Sequence, residues 1–170
     1  MTHATIHPTW ELQILEGQSA LVLTPCPGTK EADLSASLGQ LKAQGVQAVV
    51  TALSLAEMAE AGVAQLPEQT KALGMAWFHL PIEDDQAPAE EFASQWQQVS
   101  PELHNIVNQG GKLALHCMGG SGRTGILAAH LLLELGWELE RIKSEVKALR
   151  PGAFTKPLQI EYINQFAAAK

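Results

Sequence analysis

The amino-acid sequence predicts an α/β fold, with a central and mainly parallel sheet flanked by helices. Short apolar runs of strand length alternate along the chain with longer segments in which apolar residues recur at helical spacing. Strands that alternate with helices form parallel sheets, because each helix returns the chain to the same end of the sheet. The 170 residues, 46% of them hydrophobic, are enough for one substantial core. We therefore expect a single domain over residues 1–170.

The elements expected in the first half of the chain alternate after an opening strand pair. This pair comprises residues 11–16 and 19–23 on either side of Gly17, followed by a helix whose apolar face contains Leu34, Leu38 and Leu41 and which ends near Gly45. Next come an apolar strand over 46–53, short helices over 54–61 and 67–73, and a strand over 75–82. These later strands are expected to form the middle of the sheet.

The second half of the chain predicts longer helices and the last strand. From Pro88 onward, apolar residues recur at helical spacing: Phe92, Trp96, Val99, Leu103 and Ile106. Pro101 lies within this segment and either kinks one helix or begins a second one. The remaining elements are a strand over 112–116, a helix over 125–135, an amphipathic helix with Leu139, Ile142, Val146 and Leu149 that stops at Pro151 and Gly152, and a last helix over about 157–168.

Residues 116–125 are the most informative segment, with the order His-Cys-Met-Gly-Gly-Ser-Gly-Arg-Thr-Gly. Cys117 and Arg123 are separated by five residues, of which three are glycines. Such a loop can curl so that its N–H groups converge on an anion, and a tetrahedral phosphate fits that cradle. Arg123 can hold two phosphate oxygens in its planar fork, while the Cys117 sulfur lies below the phosphorus as the attacking atom. The spacing therefore predicts phosphoryl transfer through a cysteine.

The residues on either side of this loop support the same interpretation. The run 112–116 predicts a buried strand and the apolar segment 125–135 a central helix, so the loop connects a strand to a helix. The N-terminal end of a helix presents free N–H groups and a partial positive charge, which favour a bound phosphate and a cysteine thiolate. The thiolate is the form of cysteine that attacks.

This chemistry also requires an acid, because a departing alkoxide or phenoxide is a poor leaving group without a proton. The chain offers carboxylates within residues 80–88, where the strand over 75–82 ends in an acidic loop bounded by prolines. In a parallel sheet this loop lies at the same edge as Cys117, since both follow the carboxyl end of a strand. Physical reasoning alone does not separate the two candidate acids, Asp84 and Asp85.

The motif at 116–125 resembles the signature of the cysteine-dependent protein tyrosine phosphatases, in their compact dual-specificity branch, because it lies late in the chain and after an acid loop. Within that branch the chain is most similar to the cyclin-dependent-kinase-associated phosphatase group. The similarity is carried by residues 23–28, residues 79–84, the Gly119-Gly120 pair, and residues 149–153 leading to Gln159. The resemblance implies a dual-specificity phosphatase-like fold and a protein phosphatase that works through phosphocysteine, with no metal and no other cofactor.

The resemblance also implies a role for each matching residue. Cys117 is expected to be the nucleophile, Arg123 the clamp on the transition state, and Asp84 the general acid that later activates water. Thr124 is expected to hydrogen-bond the sulfur and help it leave, and His116 to orient the cysteine loop and favour the thiolate. The phosphate is expected to lie on the loop made by Met118, Gly119, Gly120, Ser121, Gly122 and Arg123.

One position departs from the family pattern, which usually has a glutamine where this chain has Thr155. The group that orients the hydrolytic water is therefore open, with Gln159 as the available candidate. Met118 and Ser121, the variable loop positions, are uncharged, whereas lipid and inositol-phosphate phosphatases of this superfamily often have lysines there. The expected substrate is a phosphorylated protein or peptide with single phosphates, on tyrosine and as a further option on serine or threonine.

Two alternative functions stay open. One is a phosphatase of inositol phosphates or other small phosphate esters, and the other is an inactive module that binds phosphorylated residues. Intact Cys117, Arg123 and Asp84 argue against the inactive module, which needs neither a nucleophile nor an acid. The Gly-Arg-Thr-Gly ending of the motif and the acid loop argue against a sulfurtransferase or an arsenate reductase.

Composition and charge bear on the partners and the compartment. A formal net charge of −7 without a basic run argues against nucleic acid and anionic membranes as partners. Residues 1–10 lack the pattern of a secretory leader, and the longest apolar run, 126–135, is too short to cross a bilayer. Cys26 and Cys117 cannot form a disulfide framework, and a reactive thiol needs reducing conditions, so we expect a cytoplasmic location. The oligomeric state is left open.

Overall fold

The computed structural model describes residues 6–14, 19–30 and 32–169. The strands within these residues are β1 (Trp10–Gln13), β2 (Ala20–Thr24), β3 (Val46–Thr51), β4 (Ala76–His79) and β5 (Lys112–His116). They form one sheet in the order β1-β2-β5-β3-β4, in which only β1 runs antiparallel to its neighbour. The expectation that the strand over 75–82 lies in the middle of the sheet is wrong, because β4 is an edge strand and β5 takes the central place. The expected turn at Gly17 lies outside the described residues.

Helices flank this sheet, which confirms the expected fold class. They are α1 (Leu34–Ala43), α2 (Leu55–Glu60), α3 (Leu66–Ala72), α4 (Phe92–Asn108), α5 (Gly122–Glu134), α6 (Leu139–Leu149) and α7 (Pro157–Ala168). The central helix α5 is buried along most of its length and packs against β2, β5, α6 and α7. None of the helices in the described ranges combines the length and the apolar character needed to cross a membrane.

The structure decides between the two alternatives at Pro101 and moves the start of the central helix. The segment around Pro101 forms one helix, α4, with the proline inside it. Proline has no N–H, so the helix loses one backbone hydrogen bond here. Because Pro101 is exposed, this bond is lost on the solvent side of the helix rather than against the core. Helix α5 begins at Gly122 rather than at Gly125, because the end of the loop already has helical geometry and Gly125 N donates to Ser121 O over 2.8 Å. Arg123 consequently lies in the first turn of α5.

The parallel strands end at one common level. The register pairs Thr24 with His116, His116 with Thr51, and Thr51 with His79, and each of these residues is the last of its strand. The strand expected over 75–82 is shorter than predicted, although Leu80 N and Ile82 N still donate to backbone carbonyls at the end of β3. The loops that follow the four strands therefore leave the sheet side by side.

Candidate active site

A cleft of about 290 Å³ lies at the carboxyl ends of the parallel strands. Its lining combines residues of the loop 117–123 with both aspartates of the acid loop and with Gly152, Thr155 and Lys156. The structure thus brings Cys117, Arg123 and Asp84 to one cleft, although the acid loop and the cysteine loop follow different strands. The site residues are placed by the ends of β4 and β5 and by the first turn of α5.

Cys117 directly follows β5, and its side chain is almost completely buried. The sulfur accepts two hydrogen bonds, from Gly120 N at 3.3 Å and from Thr124 Oγ1 at 3.2 Å. Donors that point at a sulfur favour its negative form over the thiol. The N-terminal end of α5, where a helix carries a partial positive charge, lies at the same loop. The surroundings of Cys117 are therefore those of a nucleophile.

The cysteine loop, residues 117–121, is held from outside by its carbonyl groups. Each carbonyl accepts a hydrogen bond. His116 Nδ1 donates to Cys117 O at 2.9 Å, Cys26 N to Met118 O at 2.9 Å, and Gly125 N to Ser121 O at 2.8 Å. The two carbonyls between them share one donor side chain, since Arg150 donates from Nη2 to Gly119 O at 2.8 Å and from Nε to Gly120 O at 3.1 Å. In a planar trans peptide the N–H points away from the carbonyl. Fixing the carbonyls outward therefore turns the N–H groups towards the inside, where an anion would be bound.

Gly120 is the glycine that the loop geometry requires. Its φ of 83° lies in the left-handed region, and a Cβ there would come within 2.7 Å of Pro25 N and of the Thr24 carbonyl carbon. The neighbouring Gly119 has no such φ, and a Cβ on it would meet no atom within 4 Å. The two glycines of the motif therefore have different structural requirements.

Arg123 is 2% exposed and is fixed by one end of its guanidinium group. Nη1 donates to both carboxylate oxygens of Glu57, each at 2.9 Å, and to Ile82 O at 3.0 Å. Nη2 lies 3.5 Å from Asp84 Oδ1, and within the described parts of the chain Nε has no hydrogen-bond partner. The edge formed by Nε and Nη2 is therefore the edge that two phosphate oxygens can take, in the planar geometry that suits them.

Glu57 is a functional residue that the sequence analysis missed. It is the N3 residue of α2, and with the cap residue Ser54 it forms reciprocal hydrogen bonds of 3.0 and 3.1 Å. Burial raises the pKa of Glu57, but hydrogen bonds from Ser54 and Arg123 and the Arg123 charge together hold this pKa below its usual value. The Ser-x-x-Glu pattern at 54–57 indicates the helix cap, but no neighbouring residue in the sequence indicates that Glu57 also contacts Arg123.

The acid loop separates the two candidate acids. Asp84 Oδ1 lies 3.5 Å from Arg123 Nη2, whereas Asp85 pairs with Lys156 Nζ at 3.6 Å and has a left-handed φ of 61°. Both side chains line the cleft and are largely exposed. Of the two candidate acids, Asp84 is therefore the one that pairs with the arginine fork.

His116 is fully buried and neutral, because burial lowers its pKa to about 4. Its Nδ1 donates to Cys117 O, since a carbonyl can only accept. Its Nε2 then accepts from Thr51 Oγ1 at 2.7 Å, and the Thr51 hydroxyl in turn accepts from the indole Nε1 of Trp77 at 2.9 Å. The imidazole therefore orients the cysteine loop through the backbone, and its contacts in the structure do not include the sulfur.

Gln159 and Thr155 occupy different parts of the site. Gln159 is 1% exposed, and its Nε2 donates to Gln86 O at 3.2 Å, which ties α7 to the acid loop. A Cβ on Gly122 would lie 3.1 Å from Gln159 Oε1, so this side chain also closely approaches the start of α5. Thr155 is exposed, lines the cleft and donates to Gly152 O at 2.8 Å.

The remaining cysteine lies behind the loop. Cys26 is buried and free, and burial raises the pKa of its thiol to about 12. Its backbone N–H, rather than its sulfur, supports the cysteine loop. Within the residues that the structure covers, no group of three or more histidine, cysteine, aspartate or glutamate side chains is arranged to hold a metal ion.

Comparisons with known proteins identify a family and relatives that this chain resembles. The family described as "Tc-R-P: Polymorphic toxin system, DSP-PTPase phosphatase" matches residues 27–136. The protein named cyclin-dependent kinase inhibitor 3 from Rattus norvegicus is 29% identical over 154 residues, which cover 86% of this chain and 71% of that protein. The protein of the same name from Homo sapiens is 28% identical over 169 residues, covering 95% of this chain and 78% of that one.

Solved structures show the same fold. Kinase associated phosphatase, crystallised with its catalytic cysteine replaced by serine, superposes with a TM-score of 0.86 at 24% identity, over 98% of this chain and 97% of that one. The active form of Tk-PTP superposes with a TM-score of 0.69 at 26% identity, over 91% of this chain and 95% of that one. Both comparisons extend well beyond the cysteine loop.

Proposed function

This chain belongs to the DSP-PTPase phosphatase family and is a cysteine-dependent protein phosphatase, and from that premise we propose that it works through a phosphocysteine at Cys117. The proposal depends on the contacts of Cys117 and Arg123. A buried sulfur accepts two hydrogen bonds, and on the same loop Arg123 has Nε without a hydrogen-bond partner in the described residues and Nη2 3.5 Å from Asp84, so that this edge can take an oxyanion beside the acid. A nucleophile and a phosphate clamp are thereby combined on one strand-loop-helix unit.

In the first step the Cys117 sulfur attacks the phosphorus, so that an S–P bond forms and the P–O bond to the leaving group breaks. Asp84 gives its proton to the departing oxygen, which leaves as a neutral hydroxyl. Arg123 and the inward N–H groups of the cysteine loop stabilise the charge on the three remaining phosphate oxygens. The product of this step is phosphocysteine and the dephosphorylated residue.

In the second step water attacks the phosphocysteine. Asp84, now ionised, takes a proton from the water, the S–P bond breaks, and inorganic phosphate is released. Thr124 donates to the sulfur and stabilises the thiolate as it leaves. Gln159 acts by positioning the acid loop rather than by contacting the reacting atoms, because its hydrogen bond to Gln86 O holds the segment that carries Asp84.

The proposed substrate is a phosphorylated protein residue with a single phosphate. Met118 and Ser121 carry no charge, and Lys156, the lysine in the lining of the cleft, already pairs with Asp85 at 3.6 Å. A substrate with several phosphates would need further cations at these positions. A reducing compartment such as the cytoplasm belongs to the proposal, because Cys117 must stay free to attack.

The function is tested with a panel of phosphotyrosine, phosphothreonine and phosphoserine peptides beside inositol phosphates. We expect turnover on the peptides, and Cys117→Ser is expected to abolish it while phosphopeptide binding is kept. Faster turnover of the inositol phosphates would contradict the substrate assignment, and residual turnover by Cys117→Ser near the parent rate would contradict the mechanism.

The acid is tested with a matched pair, Asp84→Asn and Asp85→Asn. Asp84→Asn is expected to lower turnover by about a hundredfold on an alkyl phosphate, and by much less on an activated aryl phosphate, such as the ester of a nitrophenol, whose leaving group departs as a stable anion. Asp85→Asn serves as the control because it removes a neighbouring charge of the same cleft. The opposite order of the two variants would make Asp85 the acid.

A further inference from the structure

Arg150 lies outside the motif but contacts it directly. It caps the C-terminal end of α6, where its N–H donates to Val146 O at 2.7 Å. Its guanidinium group donates from Nη2 to Gly119 O at 2.8 Å and from Nε to Gly120 O at 3.1 Å. One planar group thus holds two consecutive carbonyls in the middle of the cysteine loop, and no other side chain in the described ranges bonds to either of them.

The guanidinium group is itself held against an aromatic ring. Its central carbon lies 3.9 Å from the centroid of the Trp10 indole, which belongs to β1 at the edge of the sheet. An arginine stacked on an indole gains cation–π attraction and loses rotational freedom. Trp10 of the first strand and the C-terminal cap of α6 therefore meet at the carbonyl side of the cysteine loop.

We propose that Arg150, stacked on Trp10, is a positioning residue for phosphate binding. The two carbonyls that it holds belong to the peptide planes whose N–H groups are those of Gly120 and Ser121. When the carbonyls lose their donor, these planes are free to rotate, so that Gly120 N is no longer held towards the Cys117 sulfur and Ser121 N is no longer held towards the oxyanion. The proposal rests on the function proposed above, since it assigns Arg150 to the phosphate site of that reaction.

The chain supplies a matched control on the same helix. Arg141 also stacks on a tryptophan, with its central carbon 3.6 Å from the Trp137 ring centroid, and it pairs with Glu145 at 2.6 Å. None of its described contacts reaches the cysteine loop. Arg141→Gln therefore removes an arginine–tryptophan stack and a positive charge from α6 without freeing a loop carbonyl.

The test measures binding of inorganic phosphate by titration calorimetry, together with KM and kcat for an aryl phosphate and the Tm of each variant. Arg150→Gln is expected to raise both the Kd for phosphate and KM by about tenfold or more, because two hydrogen bonds from a charged donor are lost. Arg150→Lys should fall between parent and Arg150→Gln, since an ammonium lacks the planar fork. Trp10→Leu should shift the Kd in the same direction by a smaller factor.

Arg141→Gln is expected to keep the phosphate Kd of the parent. Parental phosphate binding in both Arg150→Gln and Arg150→Lys would overturn the proposal, as would an equal loss in Arg141→Gln. A fall in Tm with an unchanged Kd would likewise assign Arg150 to stability alone. Calorimetry does not depend on turnover, so failure of the proposed function, seen as no phosphopeptide hydrolysis by the parent, is distinguishable from failure of this proposal.

Discussion

Replacing Gly120 with alanine tests the geometry of the cysteine loop most directly. The backbone of Gly120 has a φ of 83°, and the added methyl group would lie 2.7 Å from Pro25 N and from the Thr24 carbonyl carbon. Both neighbours are backbone atoms at the end of β2, which is locked into the sheet by its pairing with β5. The loop must therefore move when the methyl group is introduced.

The cost follows from two terms. A left-handed conformation costs a residue with a Cβ roughly 1–2 kcal/mol, and overpacking against fixed atoms costs about 1–3 kcal/mol. Together they predict that Gly120→Ala lowers the free energy of unfolding by about 2–5 kcal/mol. For a chain of this length each kcal/mol corresponds to about 2–4 °C, so the Tm should fall by roughly 4–20 °C.

The assay is thermal unfolding followed by circular dichroism, with Gly119→Ala as the matched variant. Gly119 lacks the left-handed φ, and its Cβ would meet no atom within 4 Å, so its Tm should stay within about 2 °C of the parent. Gly120→Ala should also lose turnover, because Gly120 N donates to the Cys117 sulfur. A parental Tm for Gly120→Ala, or an equal fall for both variants, would refute the reasoning.

Two further predictions concern titratable groups near the loop, His116 and Glu57. Burial lowers the pKa of His116 from 6.5 to about 4, so between these pH values the unfolded chain binds a proton at His116 and the folded protein does not. The free energy of unfolding therefore falls as the pH drops from 6.5 towards 4. The loss should approach about 3 kcal/mol, measured by denaturant unfolding across that pH range, and a flat profile would contradict the buried neutral ring. Glu57→Gln removes the carboxylate that accepts two bonds from Arg123, and we expect it to lower the free energy of unfolding by about 1–3 kcal/mol. Glu60→Gln, on the next turn of α2 and exposed, should leave the unfolding midpoint in urea unchanged, and equal midpoints for the two variants would show that the ion pair adds nothing.

The parts of the site that the sequence could predict are those set by local spacing or by strand order. Cys117 and Arg123 lie on one short loop, so their spacing alone predicts a shared anion site. Asp84 could be placed at the same edge because parallel strands bring their carboxyl ends together. The different contacts of Asp84 and Asp85 could not be predicted from the sequence, because adjacent carboxylates look alike there, whereas in the structure Asp84 lies near Arg123 and Asp85 pairs with Lys156.

The parts that escaped prediction depend on packing between distant segments. Glu57 and Arg123 lie 66 positions apart, and the capping pattern at α2 does not reveal that its glutamate also accepts from an arginine of α5. Arg150 and Trp10 are brought together only by the contact between α6 and β1. The strand over 75–82 was predicted too long because Leu80 and Ile82 are buried, and burial gives the same apolar pattern with or without a regular strand.

The hydrogen bonds around His116 have a consequence for how the cysteine loses its proton. Trp77 can only donate and the Cys117 carbonyl can only accept, so every hydrogen in the chain of Trp77, Thr51 and His116 points towards the cysteine backbone. Because the first group can only donate and the last can only accept, this series of hydrogen bonds cannot conduct a proton. The imidazole therefore cannot serve as a base for the thiol, whose sulfur is contacted instead by Gly120 N and Thr124 Oγ1. The strand that ends at the cysteine thus offers its side chain no path for a proton.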